Sequence, residues 1–299
     1  MDDIKLYIGY YGRNNIGDDL MLKVLYNPKS YVFLQDDNFY DFIPLEKQIL
    51  LHRKPLYKLI QKFYNLFYLK SKGCKELVFG GGTQFSSNSK LFTQLDILLI
   101  VLLSRILNIK VRAESVGIGA FSKKNIFIFI ALKMMSQISV RDKTSSEKLK
   151  EAKIKHNIVK DLVYEVNFNT KKKELKQTII TATGPVLRGN QNFLENYYKF
   201  LEIYLKKDDE NIVFCVFQKD EDEYLFNILK QKFPYLKMIV MGSSVNEIEK
   251  VFSVTKQVIG MRYHSLILAD IFDIPFKGFS YDNKVKDLCY LKKMPFHKA

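Results

Sequence analysis

Short apolar runs recur along the chain, and most of them end in glycine or a polar turn. IKLYI before Gly9, ELVF before Gly80, VRAESV before Gly117 and SQISV before Arg141 read as strands. Between them the spacing of apolar positions changes to that of helices, at Asp18–Leu25, Leu91–Leu107 and Phe127–Met135. A further helix is expected from Ser145, with Thr144 as N-cap and Glu147 closing a capping box. The stretch Val163–Lys176 is polar and aperiodic and reads as a linker. Beyond it the alternation restarts. Strands are expected at TIITATG, NIVFCVF, LKMIVMG, QVIGM and IPFKGFSY, the last closing the pattern. Helices are expected at Phe193–Tyr204, Asp222–Gln231, Val245–Val251 and His264–Phe272. Alternating strands and helices argue for parallel βαβ units. The expected fold is therefore α/β, with two Rossmann-like parallel-sheet domains at residues 1–165 and 176–299 and a cleft between them. Ligands bind such sheets beyond the carboxyl ends of the strands, so the residues following each strand carry the candidate chemistry.

Six such segments stand out. GYYGRNNIGDD follows the first strand, where Gly12 and Gly17 allow tight backbone turns, Asn15 fits the loop, and Asp18 is a candidate base. Asp18 and Asp19 equally suit the positive end of a helix dipole. Gly80-Gly81-Gly82 removes three side chains beside a strand end. Phe85 occupies the position where a dinucleotide fingerprint needs glycine, and no phosphate-binding Walker loop occurs. Gly117 and Gly119 suit a packing turn. Arg141, at a strand end before a helix, suits an anion site or a surface pair with Asp142. Arg262-Tyr263-His264 opens an apolar helix, pairing a guanidinium with an imidazole able to move a proton near neutral pH. Tyr281 and Lys284 sit in what reads as a loop after the last strand, able to contact a ligand. Asp220 and Asp222 match a metal–nucleotide D-x-D pattern but lie in an acidic helix start, and no metal site is expected.

Charge narrows the partners. Lys and Arg number 47 against 32 acids, a net charge of +15. The basic residues are scattered and no nucleic-acid-binding motif is present, so anionic membrane or phosphorylated small molecules are favoured over nucleic acid. Three isolated cysteines and a start without signal-peptide character point to the cytoplasm, with peripheral docking at the inner face of its membrane. The apolar run Leu95–Leu107 carries Asp96 and Arg105 and falls short of the roughly 20 residues a span needs, so it reads as a buried helix.

Taken together, GYYGRNNIGDDLML, VFGGGTQF, SVGIG, ISVRDKTS, VIGMRYHSLILADIFDIP and GFSYDNKV resemble the polysaccharide pyruvyl transferase family, in the family's order and from Gly9 to Val285. The resemblance implies a GT-B-like fold. It also implies transfer of the pyruvyl group of phosphoenolpyruvate, a co-substrate, onto sugar hydroxyls as a ketal, with no other cofactor. The acceptor would be a cell-surface polysaccharide or its lipid-linked precursor. Carried over by position, Arg262 and Arg141 would bind the donor and His264 would act as general acid. Gly17 and Asp18 match the family's Gly-Asp pair, with Asp19 where glutamate is usual. Asp161 matches an aspartate usually followed by proline, whereas Leu162 follows here. The end of the chain leaves little room for a returning C-terminal helix. A GT-B glycosyltransferase using a nucleotide-sugar shares the expected fold and is the rival enzyme. A basic scaffold or nucleic-acid binder is the non-enzymatic alternative.

Overall fold

The structure is a computed structural model describing residues 3–86, 88–120, 126–184, 190–205 and 211–298, with the side chain of Asp220 outside that description. The chain divides into two compact units. One holds the residues up to Arg13 with Asp18–Leu162, and the other holds Asn14–Gly17 with the residues from Val163 onward.

The first unit is built on a seven-stranded sheet in the order β3-β2-β1-β4-β5-β6-β7. Its strands are β1 (Ile4–Ile8), β2 (Tyr31–Leu34), β3 (Gln48–Leu50), β4 (Cys74–Gly80), β5 (Lys110–Val116), β6 (Gln137–Val140) and β7 (Asn157–Ile158). All neighbours pair in parallel. The central strands are buried on both faces, which explains their continuous apolar runs. The helices are α1 (Ile16–Leu25), α2 (Pro55–Ser71), α3 (Leu91–Ile106), α4 (Ile126–Met134) and α5 (Lys143–Glu151). Phe79 and Phe85 meet edge to face at 5.3 Å within the core. The strand order reverses between β1 and β4, so the carboxyl ends of these two strands form the topological switch point.

The second unit repeats the plan with six parallel strands in the order β10-β9-β8-β11-β12-β13. They are β8 (Gln177–Thr181), β9 (Ile212–Val216), β10 (Lys237–Val240), β11 (Thr255–Gly260), β12 (Phe276–Ser280) and β13 (Phe296–Lys298). Its helices are α6 (Gln191–Tyr204), α7 (Lys219–Lys232), α8 (Val245–Phe252), α9 (Tyr263–Ile271) and α10 (Asn283–Lys292). Aromatic side chains fill the core, Phe279 packing against both Tyr197 and Phe200. The expected GT-B-like class, two Rossmann-like parallel sheets with helices, is what the chain forms.

Several local expectations are corrected. Helix α5 is capped by Asp142, whose carboxylate accepts from the Ser145 amide at 2.7 Å, so the Thr144 capping box does not form. Asp142 outcompetes Thr144 because the helix starts two residues earlier than its apolar spacing suggested. The presumed loop after Tyr281 is the start of α10, with Asp282 as N-cap, and β12 is followed by a further strand, β13. Helix α3 is not fully buried, since Leu102 and Ile106 face outward. The stretch Val163–Lys176 is tied down by Asn169 donating to Glu249 and by Lys173 and Lys176 donating to the Ser253 and Val254 carbonyls. Among the described residues no helix is long and apolar enough to cross a membrane.

Candidate active site

In the second unit, β11 runs into α9 through Gly260, Met261 and Arg262. Gly260 is needed because a Cβ there would lie 2.0 Å from the Thr181 hydroxyl. Arg262 caps α9 with its backbone, accepting from the Ser265 hydroxyl at 2.6 Å, and its side chain is largely buried. The guanidinium Nε donates to the Ala182 carbonyl at 3.2 Å, and Nη1 donates to Gln218 at 3.3 Å. Nη2 pairs with Glu221 at 3.2 Å and with Asp222. Asp222 is fully buried and also accepts from the backbone amides of Phe217 and Gln218 at 2.9 and 3.0 Å. Burial pushes the Asp222 carboxyl upward, while Arg262 and the two amides oppose that shift. The D-x-D reading is thereby set aside for Asp222, whose oxygens are spent on Arg262 and the backbone. Asp220, the other half of the motif, has a side chain outside the described residues.

His264 lies in the first turn of α9. Its ring stands directly over Gly17, where a Cβ would fall 1.8 Å from Nδ1. The loop that carries Gly17 is fixed in turn. The Ile16 amide donates to the Phe217 carbonyl at 3.0 Å, and the Asn15 amide group donates to Gln218 at 3.2 Å. Gln218 thus joins Asn15 to Arg262. The structure therefore brings together Asn15, Gly17, Arg262 and His264, four residues picked from two distant sequence motifs. Tyr263 is buried and packs its ring edge-on to His264 at 5.4 Å. Tyr281 is close enough to Arg262 to act on its charge, and Lys284 pairs with Asp282 at 3.0 Å.

In the first unit, the glycine turns are packed by protein side chains. Gly12 has φ +80°, and a Cβ there would meet the Asp36 carbonyl at 2.5 Å. Its amide donates to the Tyr40 hydroxyl, which donates to Asp19. Gly81, at φ +59°, leaves its open face to the Met21 sulfur, and Gly82 leaves its own to Tyr10 and Asp18. Asp18 is buried there, and its charge adds to the burial that pushes the Tyr10 phenol upward. Arg141 is buried rather than at the surface. It donates to Asp161 at 2.8 Å and reaches the Met21 sulfur at 3.5 Å, so the Arg141–Asp142 surface pair is excluded. Asp18, Gly81, Gly82, Met21, Arg141 and Asp161 form one continuous cluster in this unit.

Residue-by-residue reading missed Asp222, Glu221 and Gln218 as partners of Arg262, because an acidic helix start looks like a solvated one. A depression of about 780 Å³ in the first unit, lined by residues including Gln35, His52, Tyr57 and Tyr64, contains none of the motif residues.

The family model for polysaccharide pyruvyl transferase matches residues 15–283. The chain belongs to that family. The match takes in both Rossmann-like units and almost all of the candidate residues. A comparison with curated proteins found no match. Among solved structures, the chain is similar to UDP-GlcNAc 2-epimerase from Methanocaldococcus jannaschii, with 14% identity and TM-score 0.60 over 99% of this chain and 88% of that one. It is also similar to UDP-GlcNAc 2-epimerase from Neisseria meningitidis bound to UDP-GlcNAc, with 9% identity and TM-score 0.60 over 98% and 86%. Anabaena Alr3699/HepE in complex with UDP and glucose shows 10% identity and TM-score 0.61 over 95% and 83%. At these identities the likeness establishes the shared fold.

Proposed function

We propose that this family member transfers the pyruvyl group of phosphoenolpyruvate to two hydroxyls of one sugar, in a cell-surface polysaccharide or its lipid-linked precursor, forming a cyclic ketal. The observation that carries this reading is the placement of His264 in the first turn of α9, beside the Arg262 cap and braced on Gly17. Helix N-termini favour anions, so the start of α9 suits the carboxylate or phosphate of the donor. His264 protonates the methylene carbon of the donor as a sugar hydroxyl adds to the adjacent carbon. That hydroxyl loses its proton to a base, for which Asp18 is the candidate. The phosphate then departs with its oxygen, and a second hydroxyl closes the ketal, its proton leaving with phosphate. The bonds balance as one phosphate released per ketal formed.

Arg262 and Arg141 serve as donor-recognition residues in this reading. As the site stands, Arg262 faces two carboxylates, so its cluster carries one net negative charge. Asp222 is fixed by burial, whereas the side chain of Glu221 is 35% exposed and able to swing away. Phosphoenolpyruvate would take the place of Glu221 on the guanidinium. Tyr281 and Lys284 follow β12, the strand paired with β11, and would line the donor pocket.

The test is ligand protection followed by turnover. Phosphoenolpyruvate at about 100 times Kd would stabilise the native protein by roughly 2.7 kcal/mol. His264→Ala should keep that protection and lose about 10²–10⁴ in phosphate release with a sugar acceptor. Protection by UDP without protection by phosphoenolpyruvate would replace this reading with the nucleotide-sugar glycosyltransferase; two of the similar structures are complexes with UDP-GlcNAc or with UDP and glucose.

A further inference from the structure

Helix α2 wears most of its aromatic side chains on the outside, with Phe63 packed against the core. Tyr57, Ile60, Tyr64, Phe67 and Tyr68 recur at intervals of three and four residues and are all exposed, Tyr64 at 71%. They form one stripe on the helix, while Lys62, Leu66 and Leu69 face inward. Helix α3 packs against both α2 and α4. It continues the apolar surface with Leu102 and Ile106, and α4 adds Ile126 and Ile130. Isolated exposed apolar residues need no explanation, but a stripe continued across three helices does.

Charge is concentrated on the same segment. Residues 51–140 hold fourteen Lys and Arg against three acids, so +11 of the chain's +15 lies here. None of those three acids offsets the outer surface. Asp96 is buried against Lys62, Glu76 pairs with Lys5 and Arg112 at 3.6 Å each, and Glu114 pairs with Arg112. The segment from Leu51 to Gly73 contains no acid at all, and Arg53, Lys54, Lys70 and Lys72 flank the stripe. The depression of about 780 Å³ opens at its N-terminal end, walled in part by Tyr57, Ile60, Tyr64, Arg53 and Lys54.

We infer that the outer face of α2, extended by α3 and α4, lies on an anionic lipid surface. Tyrosine and aliphatic side chains rimmed by lysine are what an interfacial helix inserts and what a negative headgroup layer attracts. A second copy of this chain would bring two strongly positive faces together. A nucleic acid would satisfy the lysines, but the outward Leu56, Ile60, Leu102, Ile106 and Ile130 would gain nothing from bases. The inference deepens the proposed function by placing the enzyme where a lipid-linked acceptor would be presented, yet vesicle binding needs no catalysis. Failure of either idea is therefore separable.

The experiment is co-sedimentation with vesicles of phosphatidylcholine alone or mixed with phosphatidylglycerol. Wild type should pellet with the mixed vesicles, and rising salt should release it. Tyr64→Ser with Phe67→Ser should weaken partitioning about tenfold, and Lys54→Gln with Lys70→Gln and Lys72→Gln about a hundredfold at low salt. Apart from Lys70, which is half-buried and donates to the Asn108 carbonyl at 3.2 Å, these side chains are exposed, so circular dichroism and melting should stay near wild-type values. His264→Ala should bind vesicles as wild type does. Equal pelleting with both lipids, or variants that pellet like wild type, would overturn the inference. So would tighter binding to a single-stranded oligonucleotide than to vesicles, or a wild-type dimer that the Tyr64/Phe67 variant renders monomeric.

Discussion

Replacing Gly17 by alanine isolates the position of one imidazole. The new Cβ would sit 1.8 Å from His264 Nδ1, 2.3 Å from Cγ and 2.4 Å from Cε1. Carbon contacts are comfortable from about 3.5 Å, so the ring must retreat by roughly 1.7 Å. The backbone does not resist the change, because Gly17 is absent from the left-handed positions that Gly12, Gly81 and Gly82 occupy. Alanine is also a better helix former than glycine by about 0.5–1 kcal/mol. The fold should therefore survive, with melting near wild type. In the proposed mechanism, where His264 donates the proton, a displacement on this scale costs about 10² in rate. Phosphate release with a sugar acceptor should fall by that factor, while protection by phosphoenolpyruvate persists. The double variant Gly17→Ala/His264→Ala should be no slower than His264→Ala, since both substitutions remove the same placed ring. Wild-type turnover in Gly17→Ala, or multiplying losses in the double variant, would refute the argument that Gly17 serves by seating His264.

The two carboxylates on Arg262 should part company. Asp222→Ala strands a buried guanidinium and two backbone amides, costing about 3–5 kcal/mol in chemical denaturation of the second unit. Glu221→Gln touches a half-exposed pair, should leave stability within about 1 kcal/mol, and should tighten phosphoenolpyruvate binding measured by calorimetry. In the first unit, Arg141→Ala takes the guanidinium away from the buried Asp161 carboxylate and should cost a similar 3–5 kcal/mol. Arg141→Met with Asp161→Leu should recover most of that stability without recovering donor protection, and recovery of both would remove Arg141 from donor recognition. Lys58 gives a pH test. Burial first, then Lys62, pull its pKa down to about 8, against 10.5 for an ordinary lysine. The unfolded chain therefore holds the proton between about pH 8 and 10.5 after the folded one has lost it, so this group makes stability rise with pH in that window. Lys58→Met should be the more stable protein at pH 7, and its advantage should shrink as pH climbs to 10.5; a constant difference would contradict the shift.

The central strands were legible because burial on both faces leaves unbroken apolar runs, as in IVFCV. The segment from Leu25 to Gly73 was not. Its strands β2 and β3 are only four and three residues long. Helix α2 carries large apolar side chains on its outer face as well as its inner one, so periodicity does not separate the two. Asp142 displaced Thr144 as a cap because two capable residues stood two positions apart, and only the backbone decides between them. Asp161 was named by resemblance alone, and its pairing was not legible because its partner Arg141 is twenty residues away. Motif spacing located Arg262 and His264, but nothing local to either showed that α7 supplies the counter-charges.

The glycines show where motif reading stops. Three consecutive glycines after β4 suggested bare backbone left open to a ligand. Instead the space beside Gly80 belongs to the Tyr11 hydroxyl, that beside Gly81 to the Met21 sulfur, and that beside Gly82 to Tyr10 and Asp18. The space beside Gly17 belongs to His264. Each missing Cβ lets one particular side chain come closer than any other residue would allow. Met21 then reaches Arg141, and His264 stands beside the Arg262 cap. Spacing reveals that a side chain is absent but not which neighbour has moved in. The glycines of these motifs are therefore to be read as seats for particular neighbouring side chains, and alanine substitution at each should act on the residue seated there before it acts on any ligand.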